Sequence, residues 1–171
     1  MTTLDTLNAM SLSEFANTLG SIFEGSPWVA FGAYAHRPFG SVAQLHEVMT
    51  SVGAKAEAKK QLALIRAHPD LGSRAKMAEA SVKEQTGAGL HQLTASEYQR
   101  ITVLNKTYTE TFGFPFIFAI KGKTKDDIFK SLEKRIHNTP NKEFKAALAQ
   151  INKIAGFRLA DLTGDKGVLK P

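Results

Sequence analysis

The sequence predicts an all-α fold, a single-domain bundle of about eight helices with one extended apolar segment, and three observations carry that prediction. N-capping residues recur just ahead of apolar residues at helical spacing. Strand signals nearly vanish. The one strand-like run has no partner run elsewhere in the 171 residues. A chain of this length, 43% hydrophobic and 22% charged, suits one globular core.

Taken in order, "SLSEF" offers a capping box, Ser11 with Glu14, ahead of Phe15, Leu19, Ile22 and Phe23. In "SPWVAFGAYA", Ser26 is the expected N-cap and Pro27 the first helical residue. Ser41 caps "VAQLHEVMTSV", where Val42, Leu45, Val48 and Met49 share a face, and "KAEAKKQLALIRA" continues the pattern to Arg66. "SRAKMAEASVKEQT" is rich in helix formers and stops at Gly87 and Gly89. A second capping box, Thr94 with Glu97, opens a helix carrying Tyr98, Ile101, Leu104, Tyr108 and Phe112. Thr124 caps "TKDDIFKSLEKRI", and the last helix starts at Thr139 and Pro140 and runs from Phe144 toward Leu159. The core spans about residues 11–162, and "TGDKGVLKP", 163–171, reads as a tail.

"FGFPFIFAIKG", Phe112 to Gly122, interrupts the helical pattern. Its β-branched and aromatic content favours extended backbone, yet no second strand is available to pair with it. Its buried N–H and C=O groups must therefore find side chains, water or a ligand.

The formal charge of +6 could attract an anionic partner. The lysines and arginines are scattered, however, without aromatic interleaving or a recognition-helix signature, so nucleic acid is not expected. No apolar run approaches the ~18 residues that span a bilayer, and no membrane partner is expected. The N-terminus carries Asp5 and Glu14 and lacks a basic signal region, and "GVLKP" is neither a peroxisomal tripeptide nor a prenylation box. With no cysteine, these features fit a cytoplasmic protein.

The same lack of cysteine removes thiolate metal sites and thiol nucleophiles. None of His36, His46, His68, His91 and His137 pairs at metal-ligand spacing, and "HEVMT" has Thr50 where a zinc box needs its second histidine. No metal is expected. Acid–base chemistry remains. His68 precedes Pro69, which disfavours helical geometry for it, so the ring is either a helix-end cation or a group held rigidly at a pocket. Ser81, Glu84 and Gln85 fall at i, i+3 and i+4, one helix face that is either a solvated stripe or a patch for a small polar molecule. Arg158 sits among apolar neighbours and needs an anionic partner, such as Asp161 or a substrate.

"AHPDLG", "SVKEQTGAGL", "LNKTYTETFGFPFIFAIKG", "RIHNTP" and "EFKAALAQINKIAGFRLADL", in that order, resemble the 2-oxo-4-hydroxy-4-carboxy-5-ureidoimidazoline decarboxylase family, with "FEGSPW" also fitting near the N-terminus. The resemblance runs from about Leu12 to Leu162. It implies an all-helical, cofactor-free homodimer that takes a small anionic substrate. Such an enzyme acts last in converting urate to allantoin and releases CO2 to give the S enantiomer. It places the family's catalytic histidine on His68, its carboxylate on Glu84 flanked by Ser81 and Gln85, and its arginine on Arg158. It places the extended substrate-contacting segment on Phe116, Ile117, Phe118, Ala119 and Ile120, with Pro69 also lining the site.

Overall fold

Nine α-helices and two 3₁₀ helices make up the regular structure of the described residues, 1–74 and 76–170, in the computed structural model. The fold is all-α. The chain divides into two compact units, 1–67 with 152–171 and 68–151.

The first unit holds α1 (Leu4–Ala9), α2 (Leu12–Leu19), α3 (Trp28–Tyr34), α4 (Val42–Lys55), α5 (Ala58–Arg66), the second half of α9 (Pro140–Thr163) and the 3₁₀ helix η2 (Lys166–Leu169). The Ser11–Glu14 box forms as its sequence dictates, with Glu14 Oε2 accepting the Ser11 N–H at 2.8 Å. α3 packs on α2 and α4. Phe15, Leu19, Val29, Ala33, Leu45 and Met49 are buried there. Asn8 and Phe39 exchange hydrogen bonds of 2.9 and 2.8 Å. The guanidinium of Arg37 lies over the Tyr34 ring and donates to the Asn8 and Met10 carbonyls, supplying partners at the end of α1. η2 packs against α4 and buries Val168.

Three boundaries differ from expectation. α3 starts one residue late, with Pro27 at the cap position and Ser26 contributing its carbonyl to Val29 N–H. The helical run 42–66 is cut at Ala56–Glu57 because Gln61 of α5 donates to the Gly53 and Ala54 carbonyls, ending α4 with a side chain instead of another turn. α6 begins only at Glu79. Residues 70–72 give their backbone groups to side chains of later helices, and those tertiary bonds override local helix propensity. Ala75, inside that expected helix, and Pro171, the end of the expected tail, lie outside the described residues.

The second unit holds α6 (Glu79–Gly87), η1 (Leu90–Gln92), α7 (Ala95–Phe112), α8 (Lys125–Arg135) and the first half of α9. α7 stops at Gly113, whose φ of +79° is left-handed and whose N–H closes the helix on the Thr109 carbonyl. Residues 115–120 then follow as a largely buried connection that is neither helix nor strand. Side chains replace the ladder. Arg135 Nη1 donates to the Ile117 carbonyl at 2.6 Å, and Gln150 Oε1 accepts the Ala119 N–H at 3.0 Å.

Arg135 is itself held by Glu143, which is wholly buried. Its Nε and Nη2 reach Glu143 Oε2 at 3.0 and 2.8 Å, and its guanidinium lies over the Phe116 ring. Tyr108 donates its hydroxyl to the same oxygen at 2.5 Å, and Asn138 Nδ2 donates to Oε1 at 2.7 Å. Burial works to raise the Glu143 pKa, but the bonds from Arg135, Tyr108 and Asn138 outweigh it and hold the carboxyl below its ordinary 4.5. Desolvation and the Glu143 charge push the Tyr108 hydroxyl far up, so it stays a donor.

Tyr108→Phe removes one charge-assisted hydrogen bond from this buried carboxylate and is expected to cost about 2 kcal/mol, read from the urea midpoint. A carboxyl held below its unfolded pKa contributes stability that is complete above that value and lost as pH falls through the folded one. The variant should therefore acid-unfold at higher pH than the parent. Coincident acid transitions would show that the hydroxyl adds nothing to the carboxylate.

Candidate active site

The residues singled out from sequence fall in both units. His68, Pro69, Ser81, Glu84, Gln85 and Phe116 to Ile120 belong to the second, and Arg158 to the first.

His68 lies just beyond α5. The Ala67 N–H still bonds to the Ala63 carbonyl as the helix cap, and the helix goes no further because His68 before Pro69 has left helical geometry, as the proline demands. The ring is no solvated cap, since only 8% of the residue is exposed. Asp70 is exposed as a residue, yet the protein around its carboxyl removes enough water to raise its pKa.

α6 presents the face that its spacing predicts. Ser81 and Gln85 are buried and Glu84 is half-buried, while Val82 and Lys83 are exposed. Gln85 locks this helix to the histidine loop. Its Oε1 accepts the Gly72 N–H at 2.9 Å, and its Nε2 donates to the Asp70 carbonyl at 3.5 Å. Asn105 of α7 holds the same loop from another side, donating to the Leu71 carbonyl at 2.9 Å. A cleft of about 360 Å³ opens between Asp70–Ser73 and the α7 residues Tyr98, Thr102 and Asn105. None of the residues singled out from sequence lines it.

In the connection 115–120, Phe116, Ile117, Ala119 and Ile120 are buried and Phe118 is half-buried. Arg135 and Gln150 satisfy the Ile117 carbonyl and the Ala119 N–H, so those two groups serve anchoring.

Arg158 is 7% exposed. Its Nη1 lies 2.7 Å from Glu24 Oε2 and donates to the Ser21 carbonyl at 3.1 Å. Glu24 is equally buried, in the turn between α2 and α3. Sequence reasoning quoted "FEGSPW" without singling out this acid. The usable signal was a carboxylate following Ile22 and Phe23, because a buried charge needs a partner. Glu143, Tyr108, Arg135, Gln150 and Asn105 were also missed, and their partners lie as many as 35 residues apart in the chain. Among the described residues, no three His, Cys, Asp or Glu side chains gather as metal ligands. The arrangement offers an imidazole, a hydroxyl and a carboxylate in one unit, and a paired guanidinium in the other. These are groups for acid–base work and for stabilising negative charge.

A family profile described as OHCU decarboxylase matches residues 8–160. The chain is 47% identical over 167 residues to the uric acid degradation bifunctional protein PucL of Bacillus subtilis, covering 98% of this chain and 34% of that protein. It is 43% identical over 159 residues to the 2-oxo-4-hydroxy-4-carboxy-5-ureidoimidazoline decarboxylase of Haloferax volcanii, covering 93% of this chain and 95% of that one. It resembles a crystal structure of (S)-allantoin synthase with a TM-score of 0.78 at 32% identity, covering 94% of this chain and 54% of that chain. The chain thus spans about a third of the length of the bifunctional relatives from Bacillus and nearly all of the Haloferax one.

The histidine loop depends on Gly72. Its φ is +75°, and a Cβ there would meet Ile101 Cγ2 and Leu93 Cδ1 at 3.1 Å. Gly72→Ala is expected to destabilise by about 1–3 kcal/mol, measured from the urea midpoint, because strain and crowding act together. An unchanged midpoint would mean that the loop yields without resistance.

Proposed function

Because the chain belongs to the OHCU decarboxylase family, we propose that it removes CO2 from 2-oxo-4-hydroxy-4-carboxy-5-ureidoimidazoline to give (S)-allantoin, the last step from urate to allantoin. One observation carries the reading. The family match, residues 8–160, spans His68, Glu84 and Arg158, and every one of them is buried or half-buried. Polar side chains withdrawn from water in this way are suited to chemistry on a small molecule.

The substrate supplies its own electron sink. The carbon that bears the carboxylate also bears a hydroxyl and adjoins a ring C=N bond. As the bond to CO2 breaks, its electron pair forms a new C=C bond, and the C=N pair moves to nitrogen, which takes a proton. The resulting enol releases its hydroxyl proton while the neighbouring carbon accepts one, leaving the ring carbonyl and the C–H of allantoin. His68, with little rotational freedom beside Pro69, exchanges protons at the hydroxyl and the neighbouring carbon. Glu84 orients His68 or the ureido nitrogens, with Ser81 and Gln85 beside it. Arg158 stabilises charge that develops in the ring, where one well-placed donor contributes roughly 3–4 kcal/mol. Backbone groups of Phe116 to Ile120, with Pro69, hold the remaining polar edges. The reaction then needs neither cofactor nor metal. In this reading the enzyme works as a cytoplasmic homodimer.

The planar enol protonates on either face in water and yields racemic allantoin, whereas a fixed donor yields one enantiomer. Adding the protein to fresh substrate should therefore give optically active allantoin. His68→Asn should abolish the optical activity and the added rate while leaving the helical circular dichroism intact. A variant that retained near-parent rate and chirality would reduce His68 to the end of a helix.

A further inference from the structure

Arg158 does not reach its site as a bare cation. Glu24 Oε2 lies 2.7 Å from its Nη1, and each side chain is at most 7% exposed. The Ser21 carbonyl accepts from the same nitrogen. Taking two charges out of water is expensive, and apolar residues of similar volume would serve stability as well or better. The turn that carries Glu24 is also closely fitted. Gly25 has a φ of +54°, and a Cβ there would stand 3.1 Å from the Cβ of Ala67, the residue before His68.

A decarboxylase faces a particular difficulty. The substrate carboxylate carries its full charge at the start and loses it as CO2 departs. A guanidinium with its charge uncompensated would form a strong, bidentate pair with that carboxylate. Such a pair stabilises the ground state more than the transition state and slows the reaction.

We propose that Glu24 is a positioning and charge-compensating residue for the decarboxylation. It anchors the Arg158 guanidinium at Nη1 and supplies its counter-charge, so that Arg158 donates to the ring where charge develops and does not hold the substrate carboxylate. The inference rests on the role proposed above for Arg158.

The test uses the full chain and two cyclic ureides as probes, neutral hydantoin and the anion hydantoin-5-acetate. Inhibition constants are measured for both, together with kcat and KM on freshly generated substrate. The parent should favour the anion by no more than a few-fold. Glu24→Gln should raise that preference by about tenfold or more and lower both KM and kcat, with kcat down roughly ten- to a hundred-fold. A merely structural role would lower the melting temperature without changing the preference between probes, and that result overturns the proposal. Glu24→Asp keeps the charge but draws it back by one methylene. It should leave the probe preference unchanged while kcat falls, and it decides the matter if Glu24→Gln does not fold. An unchanged kcat in Glu24→Asp would overturn the proposal. Arg158→Lys separates this inference from its premise. If Arg158→Lys keeps the parent rate, Arg158 takes no part in the chemistry and the proposal falls with that role. If Arg158→Lys is slow and Glu24→Gln changes neither kcat nor probe preference, the compensating role of Glu24 alone is wrong.

Discussion

A single buried carboxylate organises the second unit. Glu143 has no contact with water, so each of its oxygens must be met by protein donors. Those donors come from α7 through Tyr108, from α8 through Arg135 and from the connection after it through Asn138. Glu143 itself stands in the first turn of α9, where the helix dipole favours negative charge. One anion therefore sets the mutual positions of three helix ends. Moving any of them would strand a charge in a low-dielectric interior, a penalty of several kcal/mol that no alternative packing of Phe, Leu and Ile side chains returns.

The buried connection 115–120 depends on this anchor. An unpaired buried strand is ordinarily unstable because its backbone groups lose water and gain nothing. Here Arg135, already oriented by Glu143, has one remaining arm, and that arm meets the Ile117 carbonyl. The Phe116 ring lies under the guanidinium and packs edge-on against Tyr108. Charge, hydrogen bond and aromatic contact converge on four side chains, Arg135, Glu143, Phe116 and Tyr108. The Ile117 carbonyl and the Ala119 N–H thereby find side-chain partners in place of a ladder.

What was legible in the sequence was local. The boxes at Ser11 and Thr94 and the cap at Thr124 depend on residues three apart, and each forms as read, Asp127 adding the reciprocal bond at Thr124. The Pro69 constraint on His68 and the shared face of Ser81, Glu84 and Gln85 are local as well. What was hidden was pairing at a distance. Residues 73–78 read as helix from propensity, but Gln85 and Asn105 claim the preceding backbone, and propensity is a weak prior against such bonds. Arg158 was read as needing an anion, either a structural one such as Asp161 on its own helix or a substrate. The structure supplies Glu24, far away in the sequence. Periodicity marks which side chains turn inward but not which partner each inward charge will meet.

Among the described residues, each unit contains an Arg–Glu pair with a buried carboxylate, and the two pairs do different physical work. In the Arg135–Glu143 pair the carboxylate takes three bonds from the guanidinium, and the cation spends its last arm on the backbone, so the group is a joint. In the Arg158–Glu24 pair the guanidinium Nη1 meets the buried carboxylate and also donates to the Ser21 carbonyl. A cation paired with a buried carboxylate has its charge balance set within the protein. The chemistry proposed for Arg158 asks for that combination, because charge must be stabilised as it moves into the ring and the site must not reorganise as the carboxylate disappears. Preorganisation of this kind is useful only if the positive end is fixed before substrate arrives, and a buried partner carboxylate is the most direct way for a protein to fix it.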